Sequence, residues 1–107
     1  MPKPNRVRRE PAPPDLREPV DAFLAHLSLE RGAARLTTEA YDADLTRFAA
    51  HCARAGRTSW TEVTLADVDS WTRALDRRGH AAASLARRLS AVRSFSGYLV
   101  RCGLRRD

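Results

Sequence analysis

Residues 84–103, SLARRLSAVRSFSGYLVRCG, hold Arg87, Arg88, Arg93 and Arg101 and not one acid. Leu85, Leu89, Val92, Phe95 and Leu99 recur along the stretch at helical spacing, so it reads as a single amphipathic helix. It begins between Ala81 and Ser84, runs to Cys102 and stops at Gly103. On a wheel of about 100° per residue with Arg87 at zero, the apolar stripe centres near about 140°. Ser84, Arg87, Ala91 and Ser94 then share the opposite face, with Tyr98 and Arg101 beside them. An arginine among small and hydroxyl residues lets a helix come close to a surface. In a DNA major groove such an arginine takes guanine O6 and N7, while serine takes phosphate. Arg88 and Arg93 flank the stripe at about 100° and 240°, where they either pair with acids such as Asp42 and Asp44 or join the basic face. Periodicity alone leaves both a solvated face and a DNA-facing one open.

Upstream, the punctuation is helical throughout. Asp15 and Glu18 form a D-x-x-E capping box after Pro13 and Pro14, opening a helix with Leu16, Val20, Phe23, Leu24 and Leu27 on one side. Gly32 ends it. A second helix runs from about Thr37 to Ala55, with Tyr41, Leu45, Phe48, Ala49 and Cys52 inward and Gly56 after it. Trp60 and Val63 sit in a loop folded over the core edge. Thr64 caps a third helix whose Leu65, Val68, Trp71 and Leu75 face inward, closed by Gly79. No segment alternates with period two. The expected fold is therefore all-α, a compact four-helix bundle.

The chain has 107 residues, a formal charge of +6 and a pI of about 10.6. Residues 1–14 contain five of the six prolines together with Lys3, Arg6, Arg8 and Arg9, and read as a disordered basic arm. Residues 84–107 carry six arginines against Asp107 alone, whereas the middle of the chain is acidic. This balance points to an anionic partner such as nucleic acid. Cys52 and Cys102 lie at no metal-site spacing, so no metal or other cofactor is expected, and Cys52 reads as a core hydrophobe. His26, His51 and His80 form no set with a nucleophile, which argues against a standalone enzyme. With no secretory signal and no membrane-length apolar run, the expected location is the cytoplasm, at the nucleoid, with no membrane partner.

Two stretches carry a family resemblance. LTTEAYDADLTRFAAHC, through Thr37, Tyr41, Asp44, Leu45 and Phe48, resembles the T-x-x-x-Y-x-x-D-L-x-x-F segment of the tyrosine recombinase and phage integrase family, nearest its Xer-type members. SLARRLSAVRSFSGYL resembles that family's S-x-x-R-x-L-S-A-x-R-x-F-x-x-L segment, through Ser84, Arg87, Leu89, Ser90, Ala91, Arg93, Phe95 and Leu99. The resemblance implies an amino-terminal, SAM-like core-binding domain over residues 15–104, an orthogonal bundle whose second and fourth helices clamp duplex DNA at a recombination site. It implies that residues 105–107 begin a linker to a separate catalytic domain, and that full-length proteins form homo- or hetero-tetramers on DNA. The family's nucleophilic tyrosine and its Arg, Lys and His partners have no counterpart here, so this chain is expected to bind DNA and cut nothing. The candidate DNA-binding residues are Arg35, Thr37, Thr38, Arg47, Ser84, Arg87, Arg88, Arg93 and Ser94; there is no candidate catalytic or metal-binding residue. Ala34 and Ala81 stand where the family often has a serine, and Thr37 is expected to supply the second helix's cap instead. The competing expectation is a helical protein-interaction or oligomerisation module without direct DNA binding.

Overall fold

Capping sets where the helices begin in the computed structural model, which describes residues 12–29, 32 and 34–106. Those residues form four α-helices and one 3-10 turn: α1 (Pro14–Leu29), α2 (Arg35–Arg54), the turn Trp60–Glu62, α3 (Leu65–Arg77) and α4 (Ala82–Arg101). No strand occurs among them. The expected basic arm lies outside the described residues up to position 11, while Ala12 packs partly against the core and Pro14 already belongs to α1.

The predicted Asp15–Glu18 box does not start α1. The Pro13 carbonyl accepts the N–H groups of Leu16 and Arg17, both at 2.9 Å, and the helix opens one residue earlier than expected. Pro14 suits the first helical position, where no N–H is needed, and Asp15 in the first turn meets the positive end of the helix dipole. At α3 the Thr64 cap is present. The Thr64 N–H donates to Asp67 Oδ2 at 2.8 Å, and the Asp67 N–H returns to the Thr64 carbonyl at 3.0 Å. Arg57 fastens the same carboxylate through Nε at 3.0 Å and Nη2 at 3.1 Å. Gly56 and Gly79 adopt φ of +93° and +81°, which lets the next N–H fold back onto the helix end. The Arg57 N–H reaches the Cys52 carbonyl at 3.0 Å and the His80 N–H reaches the Leu75 carbonyl at 3.2 Å.

The core gathers Leu16, Val20, Phe23 and Leu27 of α1, Leu45, Phe48, Ala49 and Cys52 of α2, Trp71 and Leu75 of α3, and Val92, Phe95 and Leu99 of α4. Burial pushes the Cys52 thiol up to about 12, as a core hydrophobe requires, whereas Cys102 is exposed. Trp60 lies deeper than a lid over the core edge. Its ring meets Phe95 edge-on at 4.9 Å, its indole N–H donates to the Leu16 carbonyl at 2.8 Å, and Arg105 donates to its carbonyl. Arg105 also bonds the Val63 carbonyl at 2.7 Å, so packing extends past the expected boundary at residue 104. Arg17 ties α1 to α2 through the Thr46 hydroxyl at 2.7 Å.

Two inward assignments and one outward assignment differ. Leu65 is 75% exposed, because it opens α3 before the helix meets the core and Asp67 takes the inward place. Tyr41 is only half-buried. Ala91, expected on the outward face of α4, is fully buried.

Burial alone would raise the pKa of Asp67. The Arg57 guanidinium and the Thr64 N–H outweigh it and hold the carboxyl below its ordinary 3.8. Stability from this carboxylate is therefore present above 3.8 and lost as pH falls through the lower folded value. Asp67→Asn is expected to cost about 1–2 kcal/mol at neutral pH. Urea unfolding should show the two proteins converging well below pH 3.8; a gap that persists there would contradict the ion pair's role.

Candidate nucleic-acid interface

The candidate site is built around one acid in the wrong-looking place. Asp44 shares the inward side of α2 with Leu45, Phe48 and Cys52 and is completely buried. A carboxylate there is tolerable only if its oxygens are fully bonded and its charge is countered. Two consecutive arginines of α4 do both. Arg87 donates Nε to Oδ2 at 3.0 Å and Nη2 to Oδ1 at 2.8 Å, and Arg88 donates Nε to Oδ1 at 3.3 Å. Arg88 is itself buried, and its Nη1 bonds His80 Nδ1 at 2.7 Å across the α3–α4 turn.

This ion cluster rolls α4 about its axis. Its buried residues are Arg88, Ala91, Val92, Phe95 and Leu99, whose wheel positions centre at about 95° from Arg87 instead of about 140°. Leu85 and Leu89 are half-buried. Arg88 becomes a core residue, and the small Ala91, one turn further on, is fully buried.

Arg87 has a different situation from both a solvated arginine and a buried one. Its side chain is 44% exposed although two donors are engaged with Asp44. A guanidinium carries five N–H donors in one plane. Both on Nη1 and the second on Nη2 therefore remain, on edges turned away from the carboxylate. One carboxylate against two guanidiniums leaves the cluster with a net charge of +1. Asp44 thus steadies Arg87 without cancelling its charge.

The other candidates are spread along the two helices. Arg93 and Ser94 are exposed and make no ion pair or hydrogen bond among the described residues; Ser84 is half-buried. Arg35 opens α2 and lies 3.8 Å from Glu39. Thr37 is exposed and does not cap α2. The Thr38 hydroxyl instead donates to the Ala34 carbonyl at 3.3 Å, because a threonine inside the first turn bonds backward and leaves the N–H groups ahead of it open. Neither Ala34 nor Ala81 provides a side-chain cap, and neither α2 nor α4 has an acid in its first turn. Both helix starts thus present bare N–H groups at the positive dipole end. Arg47 lies apart from this group, in the groove between α2 and α3. The pairing of Asp44 with Arg88 matches expectation; its grip on Arg87 and the part played by His80 do not follow from the periodicity. An acid at an inward position of α2 is the signal for such a cluster. No group able to hold a metal ion occurs among the described residues, and no helix there is long and apolar enough to cross a membrane.

Comparison with known proteins adds a lineage to this geometry. Residues 20–103 match the phage integrase N-terminal SAM-like domain. The chain is 41% identical over 85 residues to the tyrosine recombinase XerC of Pseudomonas savastanoi pv. phaseolicola, covering 79% of this chain and 28% of that protein. It is 40% identical over 94 residues to XerC of Serratia marcescens, covering 88% and 31%, and 39% identical over 85 residues to XerC of Bifidobacterium longum, covering 79% and 24%. The chain therefore spans less than a third of each of these relatives. No solved structure matches.

Replacing Asp44 with alanine is expected to cost about 3–5 kcal/mol, since two guanidiniums lose their counter-charge and one of them is buried. Urea unfolding of the two proteins measures this. A loss below about 1 kcal/mol would mean the cluster behaves as a surface pair.

Proposed function

This chain belongs to the phage integrase N-terminal SAM-like domain family, and from that premise we propose that it is the DNA-binding, core-binding domain of a site-specific tyrosine recombinase. In this reading α2 and α4 hold one side of duplex DNA at a recombination site. The chain itself performs no chemistry; strand cleavage and rejoining belong to a catalytic domain in the full-length protein, which assembles as a tetramer on DNA.

The observation that carries the reading is the acid-free outer arc of α4, which runs from Arg93 through Ser94 to the exposed edge of Arg87. A solvated helix face gains nothing from excluding acids over its whole length, since mixed charges pair at helical spacing. A phosphate-facing one gains at every position. Arg87 reaches a base edge or a phosphate with the donors that Asp44 leaves open. Arg35, Thr37, Thr38 and Ser84 supply backbone contacts near the two bare helix starts, where phosphate oxygens meet N–H groups and the positive dipole end. Arg88 supports the site from inside, and Arg47 faces the neighbouring groove.

Fluorescence anisotropy of a labelled duplex over a salt series tests this reading. Contact with four to six phosphates predicts a log–log slope of about −4 to −5. Arg87→Ala is expected to lose about 1–3 kcal/mol at a Xer-type site if the side chain reads a base, and to lower the slope by about one if it holds a phosphate. Unchanged binding of Arg87→Ala to cognate and random duplexes would remove the leading contact. No binding at low salt, together with a defined oligomer by sedimentation, would instead favour a protein-interaction module.

A further inference from the structure

A groove of about 240 Å3 is lined by α2, α3 and Ala12, and none of Asp44, Arg87 and Arg88 borders it. The two helices run antiparallel there, since Arg57 pairs with Asp67 and His51 bonds Ser70 at 3.2 Å. Ala50, Trp71 and Leu75 form an apolar floor, and Arg47, Arg54 and Arg78 stand around it. All three arginines are exposed, and none makes an ion pair or hydrogen bond among the described residues. No Asp or Glu is among the described residues lining the groove. Burial lowers the pKa of His51 and the charge on Arg54 lowers it further; Asp67 draws it back up in part, and Arg78 lowers it again.

Three features narrow the occupant. The cavity is smaller than the roughly 300–1,000 Å3 usual for small-molecule sites, so it suits a side-chain anchor. Its rim of three guanidiniums calls for carboxylates. Its floor of Trp71 and Leu75 offers nothing to a phosphodiester backbone but rewards an apolar side chain. The chain's own amino-terminal segment, with Lys3, Arg6, Arg8 and Arg9 against Glu10 in its first ten residues, has the wrong sign. We infer that the groove between α2 and α3 docks an acidic amphipathic helix of a partner protein, with an apolar side chain on the Trp71 floor and carboxylates on Arg47, Arg54 and Arg78.

The test is an NMR titration of the 15N-labelled full chain with a designed helical peptide carrying Leu at i, i+3, i+4 and i+7 and Glu on both flanks, and with the same peptide flanked by Lys. The Glu peptide should shift amide signals around Ala50 and Ala74 and bind at least about tenfold more tightly than the Lys peptide. The exposed pair of changes Arg54→Glu and Arg78→Glu should reverse that preference while the circular dichroism spectrum stays helical. Equal or absent binding of the two peptides, or shifts centred elsewhere, would overturn the inference. So would a DNA duplex that shifts the Ala50 and Ala74 signals and loses as much affinity in the charge-reversed protein, because the groove would then belong to the nucleic-acid face.

Discussion

A buried carboxylate shared by two arginines governs this domain. Asp44 has no access to solvent, so its charge must be met inside the protein, and α4 meets it with adjacent side chains that project about 100° apart around the helix. Arg88 points more squarely at the core than Arg87 does. One arginine therefore goes inward and the other stays at the margin. That division sets the roll of α4, buries Ala91 and leaves Arg93 and Ser94 outside.

The consequence reaches from packing to recognition. A free arginine loses side-chain entropy when it grips a phosphate or a base, and a guanidinium already held at one edge has less to lose. The cluster also keeps an excess positive charge, so the arginine that is fixed is still attractive to an anion. The arrangement resembles a lever whose fulcrum is inside the core. Changes at Asp44 or Arg88 should therefore be felt in stability first and at the surface second, while changes at Arg87 should be felt in both, because it makes two of the three hydrogen bonds to Asp44.

Much of this was legible in the sequence. The order of four helices, the Thr64 cap, the stops at Gly56, Gly79 and Gly103, and the inward places of Phe23, Phe48, Trp71 and Phe95 all follow from spacing and capping chemistry, which are local. The misreadings concern residues whose placement depends on another helix. A wheel centred on the apolar stripe puts Ala91 outward and Arg88 at the flank with Asp44 as a possible partner, but it does not foresee that both are buried. The stripe of Leu65, Val68, Trp71 and Leu75 puts Leu65 inward, although a first-turn residue can lie beyond the packed interface. The extra residue at the start of α1 arises because Pro14 is compatible with a first turn that Pro13 can cap through its carbonyl. The exposed arc of α4 was recognisable from its lack of acids, but which arginine stands at its edge was decided by the long-range ion cluster.

The central claim is that Asp44 holds Arg87 in place while leaving it open to DNA. Arginine side-chain 15N–1H spectra, recorded with and without duplex, address it directly. The account predicts that the Nε–H signals of Arg87 and Arg88 are protected from exchange in the free protein, beside that of Arg57 on Asp67, and that of these only the Arg87 signal shifts when duplex is added. An Arg87 Nε–H that exchanges as fast as a solvated arginine, or one that ignores the duplex while the protein is bound to it, would contradict the account.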